Sequence, residues 1–195
     1  GLDLKSMHQA TTEQLTEFWS TFQNLWITLY STKLVTVASM GGHSPAGGCI
    51  LGLACDVRIL RSGSMIGLNE AAFGLVPPTW VINMMVDVVG RRQAEKACSL
   101  GKLFSAEEAL ALGLVDAVMD ESGDDMETAA EKTALEWAAV PGRASTKSLM
   151  REYVVEQFKQ KEQARDLQAF VNLVSSHGMQ QALGAYLDSL KQKNK

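Results

Sequence analysis

Lys33–Asp56 (KLVTVASMGGHSPAGGCILGLACD) runs from a β-branched stretch, through a glycine turn, into a small apolar segment. Lys33–Met40 is short, rich in Val and Thr and bounded by Gly41-Gly42, the pattern of a buried strand. Gly47–Cys55 is small and apolar on every side, which suits a helix packed tightly against a sheet. Between them, His43-Ser44-Pro45-Ala46-Gly47-Gly48 turns strand into helix and presents backbone N–H groups at the positive end of the helix dipole. Such a place can hold an anion or a developing oxyanion. Taken alone, it is more commonly a tight connection with no ligand. It is not a phosphate loop, because the Lys-Ser/Thr that would reach phosphate and magnesium is missing.

Outward from this stretch, strand and helix patterns alternate. Asp56–Leu60 and Met65–Leu68 read as short strands, Thr79–Cys98 as helix with a break near Gly90, and Leu114–Met119 as one more strand. Ser105-Ala106-Glu107-Glu108 is a capping-box start for a helix ending at Gly113. Toward the N-terminus, Leu15, Phe18, Trp19, Phe22, Leu25, Trp26 and Leu29 recur at spacings of three and four, predicting a helix over Thr12–Tyr30. The aromatic members of that stripe fit one buried helix face better than a stacking platform. After Asp124 the chain is nearly all helical, broken at Pro141-Gly142 and His177-Gly178. Strands in front and helices behind predict an α/β core with a helical C-terminal region.

Composition narrows the function. The chain has 195 residues, 46% hydrophobic and 21% charged, with a formal net charge of −4, so it can bury a core without staples. No long block of like charge offers a track for nucleic acid or an anionic membrane. No run approaches the roughly 20 apolar residues of a membrane span. Cys49, Cys55 and Cys98 form no even framework and no CxxC pair, so reduced, buried thiols in an intracellular compartment are expected. His8, His43 and His177 lack metal-ligand spacing, and no GxSxG nucleophile elbow is present. Arg91-Arg92 could face a phosphate, though capping the preceding helix end is the simpler reading.

Glu70 stands apart. In Ile66–Pro78 it is a lone carboxylate among apolar residues with Gly and Pro close by. Desolvated there, it would have a raised pKa and suit general acid–base work. The alternative is a side chain that leaves the apolar stretch and meets solvent.

Gly1-Leu2-Asp3-Leu4, Ser44–Cys49, Cys55-Asp56-Val57-Arg58-Ile59 and Gly67-Leu68-Asn69-Glu70, in this order and spacing, resemble the crotonase (enoyl-CoA hydratase/isomerase) superfamily, and most closely its 3-enoyl-CoA isomerase branch. The likeness extends through Ala106–Val118. It implies a spiral of ββα turns over residues 1–140 and a helical region over 141–195 that trimerises. It implies an acyl-CoA substrate and no separate cofactor or metal, coenzyme A being part of the substrate. The reaction would move the double bond of 3-enoyl-CoA to give 2-trans-enoyl-CoA in fatty-acid β-oxidation, in the mitochondrial matrix or a peroxisome-like organelle. By the same resemblance, the backbone N–H groups of Leu2 and Gly47 form the oxyanion hole, and Glu70 shuttles the proton. Ile50 stands where family hydratases carry a further glutamate. Asn69 would orient Glu70 or the thioester, Leu68, Phe73 and Trp80 would line the acyl pocket, and Lys5 would meet a CoA phosphate. Alternatives are a dienoyl-CoA isomerase, for which Asp87 is the nearest extra acid, a hydratase, or a non-catalytic trimeric scaffold. The family has several dozen residues before the first motif, so a trimmed front end is expected.

Overall fold

A computed structural model describes residues 2–120 and 126–193, with side chains described as far as 188; Gly1 of the first motif lies outside them. Two compact units divide the chain, one spanning Thr28–Tyr153 and the other combining Leu2–Ile27 with the residues from Val154 onward.

In the first unit the central strand is Val57–Arg61, with Val57, Arg58, Ile59 and Leu60 all buried. Numbering strands and helices in chain order, β1 (Val37–Met40), β2 (Ser44–Pro45) and α2 (Gly47–Ala54) make one pass; α1 is Thr12–Ser31. Then β3 (Val57–Arg61), β4 (Met65–Gly67), a 3₁₀ turn at Glu70–Phe73, α3 (Thr79–Val89) and α4 (Arg91–Leu100) make the next. A last pass holds β5 (Phe104–Ser105), α5 (Ala106–Ala111) and β6 (Ala117–Met119), followed by α6 (Met126–Ala138) and α7 (Arg143–Gln157). β1, β3 and β6 form one parallel sheet in that order, in a register that pairs Val37 with Val57 and Ile59 with Ala117. β2, β4 and β5 form a second sheet, β2 parallel and β5 antiparallel to β4. Each pass therefore gives one strand to each sheet, which is the expected spiral.

The local signals hold at α5. Ser105 Oγ accepts from the Glu108 N–H at 3.2 Å, and the Glu108 carboxylate accepts from the Ser105 N–H at 3.0 Å, closing the capping box. β1, however, begins at Val37 and not at Lys33. The carbonyls of Lys33 and Leu34 are taken by side chains, those of Arg143 and Lys147, so this stretch has no ladder to join. β6 likewise shortens to Ala117–Met119, because Leu114 and Val115 are buried as a turn after Gly113.

In the second unit most of the predicted stripe of α1 turns inward: Leu15, Trp19, Phe22 and Trp26 are buried, whereas Leu25, also read as part of the stripe, is exposed. Trp19 stacks on Phe170 at 3.9 Å, and Trp26 meets the edge of Phe158 at 5.0 Å. Phe158 opens a π-helical segment, Phe158–Glu162, ahead of α8 (Gln163–Ser175). Gln23 is fully buried and its Nε2 donates to Asp166 at 2.7 Å and to the Gln163 carbonyl at 3.1 Å, while the Trp19 indole N–H donates to Asp166 at 2.8 Å. The break expected at His177-Gly178 falls one residue earlier. Ser176 is the extended residue, its Oγ accepts from the Met179 N–H at 3.3 Å, and α9 runs His177–Lys193.

Candidate active site

The glycine turn is built on a strained residue. Ala46 has φ +49°, a region that costs an L-residue roughly 1–3 kcal/mol and persists only where the surroundings impose it. What imposes it is the parallel pairing of β2 with β4: the Ala46 N–H donates to the Gly67 carbonyl at 2.9 Å, beyond the Pro45–Gly67 pair. The first N–H of α2 with a helical acceptor is that of Ile50, which donates to the Ala46 carbonyl at 2.9 Å. Those of Gly47 and Gly48 come earlier, where a helix has no acceptor of its own to offer. The turn thus starts α2 at Gly47, which is itself buried.

β4 ends at Gly67, and three residues later its continuation delivers Glu70 to the start of the 3₁₀ turn. Two glycines make room for this. A Cβ on Gly67 would lie 2.4 Å from the Lys102 carbonyl oxygen, and one on Gly101 would lie 2.7 Å from the Ala72 nitrogen and 3.2 Å from the Asn69 carbonyl. The Glu70 turn therefore rests directly on the backbone that joins α4 to β5. Glu70 Oε2 is buried and has no hydrogen-bond partner among the described residues. Burial pushes its pKa above the ordinary 4.5, opposed by the backbone N–H of Glu70 itself and not by a cation. Cys49 of α2 and Cys98 of α4 lie near enough to feel its charge. Burial first, and Glu70 second, push both thiols up, so they remain neutral. All three cysteines are free and buried, as expected.

Gly47, Leu68, Asn69, Glu70, Phe73 and Trp80 all belong to the Thr28–Tyr153 unit. Leu68 is fully buried, Trp80 is 3% exposed in the core face of α3, and Phe73 is exposed at the end of the turn. Asn69 is half-buried and makes no side-chain cap to the turn it precedes. Ile50, in the position of the hydratases' further glutamate, is buried. Asp87 is exposed on α3. His43 serves the backbone, its Nδ1 accepting the Met65 N–H at 3.0 Å. Leu2 and Lys5 belong to the other unit: Leu2 is half-buried beside a 3₁₀ turn, Leu4–Ser6, capped by Asp3, and Lys5 is exposed.

A buried charge cluster escaped the sequence reading. Asp56, its side chain 5% exposed, lies 2.8 Å from Lys147 Nζ, 3.1 Å from Arg151 Nη2 and 4.0 Å from Arg143 Nη1. The three cations recur at intervals of four on α7, a signal of one helix face that was available but had no visible partner. Arg151 also donates to the carbonyls of Tyr30, Ala54 and Cys55, where α1 and α2 end with orphaned acceptors. Beside this cluster Arg58, buried in β3, pairs with Asp116 at 3.2 Å and donates to the Leu114 carbonyl at 2.9 Å.

Chemically, the unit offers one neutral-prone carboxyl group with a free oxygen, next to a helix start whose N–H groups favour negative charge. That pair suits proton transfer at a carbon whose carbanion is relayed onto oxygen. Mitochondrial enoyl-CoA delta isomerase 1 of Mus musculus is 39% identical over 197 residues, covering 99% of this chain and 67% of the relative. The Homo sapiens protein of the same name is 36% identical, with 99% and 64% covered, so the chain spans about two thirds of the length of these relatives. The crystal structure of human mitochondrial delta3-delta2-enoyl-CoA isomerase superposes with a TM-score of 0.93 at 36% identity, over 100% of this chain and 76% of that one. Enoyl-CoA hydratase from Bacillus halodurans, at 24% identity and a TM-score of 0.80, shares the fold. The family profile described as enoyl-CoA hydratase/isomerase matches residues 1–195. On motif order, spiral fold and full-length match together, the chain belongs to the enoyl-CoA hydratase/isomerase family.

Proposed function

We propose that the protein is a 3,2-trans-enoyl-CoA isomerase in which Glu70 is the sole proton carrier. The observation that carries this reading is the buried, unpartnered Oε2 of Glu70 with apolar Ile50 in place of a further carboxylate. A hydratase must also orient and activate a water, and Ile50 offers nothing to hold it. A proton shift needs only one group.

In the reaction, ionised Glu70 takes a proton from C2 of a 3-enoyl thioester. The C2–H electrons form the C1=C2 bond of a dienolate and the thioester oxygen takes the negative charge. The backbone N–H of Gly47 donates to that oxygen, worth about 3–4 kcal/mol in the transition state. Protonated Glu70 then returns the proton to C4, and the electrons settle as the conjugated 2-trans double bond. No oxidation state changes, so the chemistry asks for no redox group. The apolar surroundings that raise the Glu70 pKa also keep water from quenching the dienolate. Leu68, Trp80 and Phe73 contact the acyl chain, and Asn69 orients the carboxyl or the thioester. The setting is fatty-acid β-oxidation in the mitochondrion.

The test is isomerisation of 3-hexenoyl-CoA followed through the absorbance of the conjugated enoyl thioester. The protein is expected to convert it and to add no water to 2-hexenoyl-CoA. A folded protein inert toward the 3-enoyl substrate would favour the non-catalytic scaffold, and net hydration would favour a hydratase.

The active form is a homotrimer. Leu149, Met150 and Tyr153 of α7 are 81%, 72% and 67% exposed, an apolar group that a lone chain would leave in water. Light scattering is expected to give three times the chain mass, and Leu149→Glu with Tyr153→Glu to lower it. An unchanged mass in that double variant would place the contact elsewhere.

A further inference from the structure

A single carboxyl that takes a proton from C2 and returns it to C4 has to be held where both carbons are within reach. For Glu70 the holding is done by backbone. Glu70 opens a 3₁₀ turn in which the Ala72 N–H donates to the Asn69 carbonyl at 3.2 Å and the Leu75 N–H donates to the Glu70 carbonyl at 3.0 Å. The first of these bonds closes around Glu70 and Ala71, and both of its atoms lie against Gly101. A Cβ on Gly101 would come within 2.7 Å of the Ala72 nitrogen, 3.0 Å of the Ala72 Cβ and 3.2 Å of the Asn69 carbonyl oxygen. Any side chain at 101 would therefore press on the bond that shapes the turn.

Gly101 has little freedom to give way. It is the left-handed cap of α4, at φ +58°, where its N–H donates to the Cys98 carbonyl at 3.3 Å and the Lys102 N–H donates to the Ala97 carbonyl at 2.9 Å. Lys102 Nζ then meets Glu108 at 3.0 Å, the same carboxylate that accepts the Ser105 N–H at the start of α5. Phe104 and Ser105 pair with Ile66 and Met65 of β4, and the Lys102 carbonyl lies against Gly67. The connection from α4 to β5 is thus fixed at both ends, and it meets the Glu70 segment at Gly67, Asn69 and Ala72.

We infer that Gly101 is a positioning residue for Glu70: by having no side chain, it lets the connection from α4 to β5 seat the turn that carries the carboxyl. The inference rests on the reading of Glu70 as proton carrier. A Cβ at 101 lifts the turn, and the resulting misplacement of the carboxyl falls on kcat more than on substrate binding. It also admits water to the carboxyl, whose pKa is raised by burial, so the acidic limb of kcat/KM moves down toward 4.5. The titratable groups that feel the charge of Glu70 are the thiols of Cys49 on α2 and Cys98 on α4, and burial keeps both neutral.

The experiment compares the parent with Gly101→Ala, Gly101→Asn, Gly113→Ala and Glu70→Gln. The readouts are melting temperature, kcat and KM on 3-hexenoyl-CoA, and the pH profile of kcat/KM. Gly101→Ala is expected to lower kcat by about tenfold or more with KM within about threefold, and to move the acidic limb down. Asparagine tolerates the left-handed conformation better than alanine yet carries the same Cβ. Gly101→Asn is therefore expected to lose less melting temperature while showing the same kinetic deficit, and it carries the test if Gly101→Ala does not fold. Gly113 has φ +73° and no atom within 4 Å of a Cβ built on it. Gly113→Ala thus imposes the backbone strain without the contact, and is expected to lose melting temperature and keep parental kcat and limb. Parental kcat or an unmoved limb in a folded Gly101 variant, or an equal kinetic deficit in Gly113→Ala, would overturn the inference, as would failure of both Gly101 variants to fold. Glu70→Gln at parental kcat would instead overturn the proton-carrier reading, so the two failures are told apart.

Discussion

Replacing Glu70 by Gln is expected to lower kcat by a factor of about 10² to 10⁴, with KM changed by less than about threefold. Glutamine has nearly the same shape and fills the same space, but it neither accepts the C2 proton nor returns one to C4. The oxyanion donors are backbone groups and survive the substitution, which is why binding should persist. The pH dependence follows from the direction of the Glu70 shift. Burial raises its pKa above 4.5, and the base must be ionised to start the reaction, so the acidic limb of kcat/KM should lie above that value. Stability should move the other way. Between the ordinary pKa and the raised one the folded state holds a proton that the unfolded chain has released, so stability falls as pH rises through this window. The contribution is fully present below 4.5 and lost above the raised pKa. Glu70→Gln lacks this term, so the stability of the variant relative to the parent should increase as pH rises. Steady-state kinetics and thermal melts across pH 4 to 8 would check both limbs. A variant with parental kcat would remove Glu70 from the mechanism.

Asp56→Ala is expected to cost about 3–5 kcal/mol of stability, the effect of leaving buried charges without their partner. For a chain of this size that is a fall of about 6–20 °C in melting temperature. The reason is the imbalance of the cluster. One carboxylate faces Arg143, Lys147 and Arg151 and also accepts the Thr36 N–H at 2.9 Å. Lys147, itself buried, has a pKa lowered by that burial, against which Asp56 is the main opposing influence. Without Asp56, the three cations would be left with the carbonyls at the ends of α1 and α2 and at Lys33 and Leu34 in place of a carboxylate. Arg151 would keep its place over the Tyr30 ring, 4.5 Å away, so the loss should be large without being total. Urea unfolding would read it as a lower midpoint with an unchanged slope. A cost below about 1 kcal/mol would mean that the cluster behaves like a solvated surface pair.

Much of the fold is legible along the chain because its signals act over a few residues. The Ser105 capping box involves groups three residues apart, and the α1 stripe repeats every three or four, so each can be read without knowing the rest of the molecule. The glycine turn and Glu70 are legible as candidates for the same reason: small residues open a helix, and a lone acid stands in an apolar run. The limits of β1 are different. Lys33–Val35 has strand composition, yet partners more than a hundred residues away occupy the carbonyls of Lys33 and Leu34. Position 56 shows the same divide, since an aspartate before a strand gives no sign that α7 will turn three cations onto it.

The sequence by itself thus determined the family, the order of strands and helices, the glycine turn and the identity of the acid, since all of these are written in residue type and short spacing. Only the tertiary structure decided that Glu70 keeps a carboxyl oxygen buried and, among the described residues, unpaired, and that Ala46 is bent to φ +49° by the strand beside it. Those properties depend on which backbone groups are excluded from water and which distant partners reach them. Desolvation and long-range hydrogen bonds belong to the folded arrangement and have no counterpart in local spacing.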